Sequence, residues 1–104
     1  MEFVLVRIFL REDDRLEGKP AYRRLLELLK EYGIGGATVL KSIMGYGTTG
    51  EVHYEGLEVL SYSLPVVVEF VEEEQKAMQA IERLLQKAKV GLITLERAVL
   101  WYSS

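Results

Sequence analysis

The chain has 104 residues, 49% of them hydrophobic and 28% charged, with a formal net charge of −3. This length predicts one domain over residues 1–104 with a modest core. The composition argues against disorder, and the weak negative charge argues against nucleic acid as a partner. The absence of cysteine excludes disulfides, thiolate metal ligands and cysteine nucleophiles, and it fits a reducing compartment. A cytoplasmic protein is therefore expected.

The first part of the sequence predicts a strand, a helix and a second strand. Residues 3–10 are apolar at odd and even positions apart from Arg7, which is typical of a central strand, and the run is too short to span a bilayer. After a charged connection, Pro20 suits the first position of a helix, and Gly33 suits its C-terminal cap. Residues 37–44 then follow as the second strand.

The second part of the sequence predicts a strand, a helix and a last strand. Residues 64–71 form the third strand, with Pro65 at its beginning, where no ladder donor is needed. The run of Glu72, Glu73 and Glu74 is expected to open a second helix, because acidic residues favour helix N-termini. Residues 92–102 form the fourth strand. The order β-α-β-β-α-β predicts an α+β, ferredoxin-like sandwich with both helices on one sheet face.

The uncovered sheet face would expose a large apolar patch in a single copy of the chain. Phe3, Leu5 and Phe9 on the first strand and Val67 and Val71 on the third would all contribute to it. Contiguous apolar patches of this kind mark interaction surfaces, so we expect the chain to associate with itself.

A glycine-rich loop, MGYGTTGEVHYEG at residues 44–56, separates the second and third strands. Gly45 and Gly47 at its base are expected to adopt positive φ and to bring backbone amides close to a phosphate group. Glycines that simply form the turns of a hairpin are the alternative explanation of the same letters.

Several segments around this loop resemble the PII family of trimeric signalling proteins. They are YGIGGATV, GYGTTG, YEGLEV and LPVVVEFV, in the family's order and at near-family spacing. Two longer segments, RIFLREDDRLEGKPAYRRLLELLKEYGIGGATVL and LSYSLPVVVEFVE, resemble the PII-like domain of unknown function 190 branch, so the resemblance covers almost the whole chain. It implies a ferredoxin-like homotrimer with nucleotide-binding clefts between subunits.

The resemblance also implies the residues that bind a ligand. Thr38 matches a threonine that lies by the adenine, Gly45 and Gly47 match the glycines at the loop base, and Leu64 and Pro65 match the start of the strand that walls the cleft. The family's GDGK segment, which grips ATP phosphates, is missing from KVGLITLERAV. The expected ligand is therefore AMP or ADP rather than ATP, with no required cofactor.

The loop from residue 46 to 63 is expected to regulate a protein target by changing its order when the cleft is filled. Gly50, His53 and Tyr54 are its candidate regulatory residues, and Tyr54 falls where some PII proteins carry a uridylylated tyrosine. Thr48 and Thr49 replace the family's magnesium-orienting glutamine, which argues against 2-oxoglutarate sensing. Family members are often encoded beside fluoride-exporting membrane proteins, so a membrane channel or transporter is a candidate target.

Two other functions remain open from the sequence. Glu51, His53 and Glu55 alternate and would share one face of an extended loop, as in a metal-binding trimer of the divalent-cation-tolerance type. A small ferredoxin-like enzyme is the other alternative. Acylphosphatases of this fold use a catalytic asparagine, which this sequence lacks, and no nucleophile pairs with the single histidine. The chain is therefore expected not to be an enzyme and to have no catalytic residues.

Overall fold

The computed structural model describes residues 1–46, 52–54 and 64–103. None of its described helices is long and apolar enough to cross a membrane. In chain order the elements are β1 (Phe3–Arg11), β2 (Arg15–Leu16), β3 (Lys19–Pro20), α1 (Ala21–Glu31), β4 (Thr38–Lys41), β5 (Met44–Tyr46), β6 (Val52–Tyr54), β7 (Pro65–Glu73), α2 (Glu74–Lys87) and β8 (Ile93–Ala98).

Four of the strands form one antiparallel sheet in the order β4-β7-β1-β8. β1 lies in the interior and pairs with β7 over its full length, from Phe3 opposite Glu73 to Arg11 opposite Pro65. Within the described part of the chain, β2 pairs with β3 and β5 pairs with β6, as two small hairpins outside this sheet. The main sheet and the two helices thus have the β-α-β-β-α-β order, which confirms the predicted ferredoxin-like α+β fold. Most of the predicted glycine-rich loop lies outside the described residues.

The core lies between the sheet and the two helices. Alternate side chains of β1 and β7 are buried there and pack against apolar residues of both helices. Each fully buried aliphatic or phenyl side chain contributes roughly 1.5–3 kcal/mol relative to an exposed one. The buried cluster comprises Val4, Val6, Ile8, Leu10, Leu25, Leu28, Leu29, Ile34, Val66, Val68, Phe70, Ala77, Ala80 and Leu84.

The charged connection before α1 is structured, which the sequence did not predict. It folds as the β2–β3 hairpin around Glu17 and Gly18, whose φ angles of 53° and 79° are both left-handed, as a type I′ turn requires. Pro20 belongs to β3 and is the N-cap of α1, so the helix begins at Ala21, one residue later than expected. Gly33, with φ 85°, follows the end of α1 as predicted.

The prediction for the start of α2 is partly wrong. Glu72 and Glu73 belong to β7, because β7 pairs with β1 as far as Phe3. The helix begins at Glu74. The Glu73 carboxylate accepts hydrogen bonds from the backbone N–H groups of Gln75 and Lys76, each at 3.2 Å, and so caps the helix.

The last strand is shorter than predicted. β8 ends at Ala98, which pairs with Phe3 at the beginning of β1. The side chains of Val99, Trp101 and Tyr102 beyond it are 84–91% exposed. The predicted strand 92–102 is therefore confirmed only over residues 93–98.

We call the sheet surface that faces away from the helices the open face. Its apolar residues are half-buried or exposed and comprise Phe3, Leu5, Phe9, Leu40, Val67 and Val71. The apolar patch predicted there is interrupted at its centre, because Arg7 forms ion pairs with Glu69 of β7 and Glu96 of β8. The sequence pattern did not indicate these pairs, since their members lie far apart along the chain.

Candidate functional site

Leu64 and Pro65 are held in place from two sides at the start of β7. The Leu64 carbonyl accepts a hydrogen bond from the Glu12 N–H at 2.8 Å, and its side chain is buried. The Pro65 carbonyl accepts hydrogen bonds from the Ser42 N–H at 3.2 Å and from the Ser42 hydroxyl at 2.7 Å. The predicted second strand is interrupted at Ser42, between β4 and β5. The two hydrogen bonds from Ser42 link this interruption to β7.

Gly45 lies beside Pro65, on the strand that follows Ser42. It belongs to β5 and pairs with His53 of β6. A Cβ atom added to Gly45 would lie 3.1 Å from Pro65 Cγ, closer than an ordinary van der Waals contact. The expectation of a positive φ at Gly45 is wrong, since among the described glycines only Gly18 and Gly33 have one. The close approach of Pro65 leaves little room for a side chain at position 45.

Thr38 lies apart from this group. It is the first residue of β4 and pairs with Glu69, whereas Pro65 lies at the far end of β7. Ser42 lies four positions after Thr38, which along a strand corresponds to roughly 13 Å. The structure therefore brings Gly45, Leu64 and Pro65 together but leaves Thr38 at the other end of the edge strand, exposed to solvent.

A shallow cavity lies immediately before Thr38 in the chain. Its volume is about 250 Å³, which is below the usual range for a whole nucleotide-sized ligand. α1 forms one side, and the connection to β4 forms the other. The lining residues are Leu26, Leu29, Lys30, Ile34, Gly35, Gly36 and Ala37.

Two of the predicted loop residues can be placed, and two cannot. His53 and Tyr54 belong to β6 and pair with Gly45 and Met44 of β5. Gly47 and Gly50 lie outside the described residues. The same holds for Glu51 and Glu55 of the hypothetical metal site, so that site stays a prediction. Within residues 1–46 and 64–103, no group of three His, Asp or Glu side chains could hold a metal ion.

Sequence reasoning missed the polar and apolar neighbours of the hairpin base. Lys41 Nζ contacts Glu12 Oε1 at 3.0 Å, next to the Glu12 N–H that binds the Leu64 carbonyl. Three apolar or aromatic side chains around Gly45 are exposed, namely Ile43 at 72%, Met44 at 55% and Tyr46 at 70%. The polar Ser42 inside the predicted strand 37–44 was the only sequence signal of this arrangement. The surface around Gly45 therefore combines exposed apolar side chains with the ion pair of Lys41 and Glu12.

Another charged cluster lies away from this site, on α1 and the β2–β3 hairpin. Arg24 donates hydrogen bonds to Glu17 at 2.9 Å and to Glu27 at 3.2 Å, and Lys19 donates to Glu27 at 2.9 Å. The hydrogen bond from Arg24 lowers the pKa of Glu17, and the one from Lys19 lowers the pKa of Glu27. These carboxylates stay ionised near neutral pH, which favours a structural role over proton transfer.

The fold is similar to solved structures of PII-like proteins. A PII-like protein of Thermus thermophilus matches with a TM-score of 0.65 and 19% sequence identity, covering 94% of this chain and 88% of that one. The nitrogen regulatory PII-like protein CPII of Thiomonas intermedia K12, solved with ADP, AMP and bicarbonate, matches with a TM-score of 0.58 and 14% identity, covering 94% and 87%. These matches define the chain as a protein of the PII-like fold.

The sequence comparisons identify the branch. The model of the DUF190 family, described as "Uncharacterized ACR, COG1993", matches residues 3–100. A UPF0166 protein of Aquifex aeolicus (strain VF5) is 51% identical over 92 residues, which cover 88% of this chain and 87% of that protein. The chain therefore belongs to the DUF190 family, as the resemblance implied.

Proposed function

We propose that the protein is a PII-like regulator that binds AMP or ADP in clefts between its own copies. The observation that carries this proposal is the junction of Gly45 and Ser42 with Pro65. There two hydrogen bonds from Ser42 attach the base of the β5–β6 hairpin to the main sheet, and Gly45 lies so near Pro65 that an added Cβ atom would be 3.1 Å from Pro65 Cγ. A ligand beside this junction would act on the hairpin, and through it on the loop and a protein target.

The adenine side of the proposed site combines Thr38 with the cavity of about 250 Å³ before it. This cavity is large enough for a base but not for a complete nucleotide. The ribose and phosphate would then extend toward the loop base, with Gly45, Gly47, Leu64 and Pro65. Of these residues, a single copy places Gly45, Leu64 and Pro65 too far from Thr38 for one small ligand. A neighbouring copy of the chain would bring the residues around Thr38 and those around Pro65 close enough for one nucleotide to contact both. The nucleotides bound to CPII support the choice of ligand.

The residues on the phosphate side of the proposed site favour a nucleotide with one or two phosphate groups over ATP. Gly91 is the only glycine in the segment that replaces the family's GDGK motif. A Cβ atom there would lie 2.6 Å from the Phe9 carbonyl oxygen, and the Phe9 N–H donates to the Leu92 carbonyl at 2.9 Å. Gly91 thus serves the packing of this segment against β1. AMP or ADP accordingly fits better than ATP.

Self-association through the open face is part of the proposal. The apolar side chains of that face remain half-buried or exposed in one copy, and a homotrimer would cover them. We further propose a cytoplasmic location and a membrane channel or transporter as the target. The fold and the family favour a regulatory role over an enzymatic one, while metal binding through Glu51, His53 and Glu55 remains the alternative.

Calorimetry with AMP, ADP and ATP tests the nucleotide proposal. We expect heat from AMP and ADP at millimolar concentration and weaker binding of ATP. Gly45→Val should abolish binding without preventing assembly, because its side chain would push the hairpin base away from Pro65. Gln79→Val, which places the same side chain on the exposed side of α2, should bind like the parent.

The opposite results would contradict this proposal. No heat from any of the three nucleotides would remove adenine nucleotides as ligands. Binding by the Gly45→Val variant equal to that of the parent would show that the junction is not part of the site. A rise in melting temperature with divalent metal ions but not with nucleotides would favour the metal-binding alternative.

A further inference from the structure

Three charged side chains form a row across the middle of the open face. We call Arg7, Glu69 and Glu96 the ionic row. Arg7 Nε lies 3.4 Å from Glu69 Oε2, and one terminal nitrogen of Arg7 donates to Glu96 Oε1 at 2.7 Å. The three residues come from β1, β7 and β8, so the row crosses three of the four strands.

Apolar residues flank the ionic row on both sides. Leu5 and Val71 pair with each other on one side of Arg7, and Phe9 and Val67 pair with each other on the opposite side. In one copy the row is partly exposed, with 39% of the Arg7 side chain and 57% of the Glu96 side chain accessible. Ion pairs this exposed contribute little to stability, so folding of a single copy does not account for charges placed at the centre of an apolar surface.

The ionic row has hydrogen-bond donors and acceptors that its own contacts leave unused. A guanidinium has five N–H donors, and the two contacts of Arg7 among the described residues engage only part of them. Each carboxylate can accept further hydrogen bonds beyond the one from Arg7. A purely apolar partner would leave both kinds of group buried and unsatisfied, which is costly. A second copy presents the same donors and acceptors within the same apolar surround, so it is the occupant that the face fits.

We propose that the ionic rows of neighbouring copies interlock and fix the register in which the open faces pack together. Arg7 of one copy then bonds to carboxylates of its neighbour as well as to its own Glu69 and Glu96. The apolar residues supply most of the attraction, and the ionic row selects one arrangement among those that the apolar patch alone would allow. This inference rests on the self-association that forms part of the proposed function.

Sedimentation of the full chain at several concentrations tests this inference, with variants of two arginines. Arg7→Met leaves two carboxylates without their cation at the interface, so we expect the dissociation constant to rise at least about tenfold. Arg97→Met is the matched control. Arg97 also pairs with two carboxylates, Glu2 at 2.7 Å and Glu74 at 3.2 Å, but lies on the helix-covered side of the sheet. Its removal should leave assembly within about twofold of the parent.

The triple variant Arg7→Met, Glu69→Met, Glu96→Met tests the register directly. An apolar row should restore tight assembly but yield more than one oligomeric species, because nothing then distinguishes the packing registers. One species identical to that of the parent would overturn the inference. So would a folded Arg7→Met variant that assembles as tightly as the parent.

Two further outcomes are decisive. If the Arg7→Met variant no longer unfolds cooperatively, the Glu96→Gln variant replaces it in the test, because it keeps the contact between Arg7 and Glu69. Assembly of the Glu96→Gln variant equal to that of the parent overturns the inference. A parent chain that stays monomeric at micromolar concentration would contradict both this inference and the proposed intersubunit cleft. An assembled parent with no response to Arg7 or Glu96 would contradict only the role of the ionic row.

Discussion

The two faces of β1 show how one strand can serve two purposes. On the side of the helices, Val6 and Ile8 are fully buried and their neighbours are apolar. On the open face, Leu5 and Phe9 are only half-buried, and Arg7 between them carries two ion pairs. The first face completes a core within one copy. The second exposes apolar side chains as a contact surface does, but its charged residues lie at the centre, whereas most interfaces carry them at the rim.

Side-chain truncations on the two faces of β1 should differ most in their effects on stability and assembly. Ile8→Ala removes fully buried atoms, so we expect the free energy of unfolding to fall by about 2–5 kcal/mol. Leu5→Ala, on the open face of the same strand, should cost less than half as much in dilute protein. It should instead weaken self-association. Urea unfolding below the association concentration, together with sedimentation above it, measures both effects.

Equal losses of stability from the two truncations in dilute protein would contradict this difference, because they would show that a single copy buries both faces to the same degree. A Leu5→Ala variant that associates as tightly as the parent would contradict the assignment of the open face as a contact surface.

Acid titration of the charged cluster on α1 should give a smaller effect. The pKa values of Glu17 and Glu27 lie below the ordinary 4.5 in the folded chain, so their pairs stabilise the fold above pH 4.5. This contribution is lost as the pH falls through the folded pKa values, because protonation removes the charges that Arg24 and Lys19 contact. The cluster is exposed, so the effect should shrink in high salt.

The urea midpoint between pH 7 and pH 3 measures this loss. In the double variant Glu17→Gln, Glu27→Gln the acid-induced fall should be smaller than in the parent. Glu82→Gln, which changes an exposed carboxylate of α2, serves as the control and should follow the parent. Identical profiles for the parent and the double variant would contradict the assignment of the pKa shifts to this cluster.

The sequence predicted the order of the main elements because hydrophobic periodicity and chain punctuation are local signals. Pro65 marked the beginning of β7, and Gly33 marked the end of α1, each through its own backbone preference. The boundary at Glu73 was missed because pairing with Phe3 extends β7, and such pairing overrides the local preference of an acidic run for a helix.

The candidate site was less predictable because its geometry depends on distant residues. The limited space for a side chain at position 45 comes from Pro65, which belongs to a different strand, and no local pattern encodes that approach. The hydrogen bonds from Ser42 to Pro65 depend on the same pairing of distant segments. Arg7 illustrates the same limit, since its partners come from β7 and β8. Family resemblance supplied the predicted site residues, and the structure supplied the physical reason for Gly45.

Titration of the isotope-labelled protein with AMP, followed by amide NMR, tests whether one nucleotide contacts both halves of the proposed site. We expect the shift changes to concentrate at two groups of backbone amides, one at Ala37 and Thr38 and the other at Ser42, Gly45 and Leu64. Both groups should saturate at the same AMP concentration, because one ligand would contact both across a cleft. Saturable changes confined to other parts of the chain, or no saturable change at millimolar AMP, would contradict the claim.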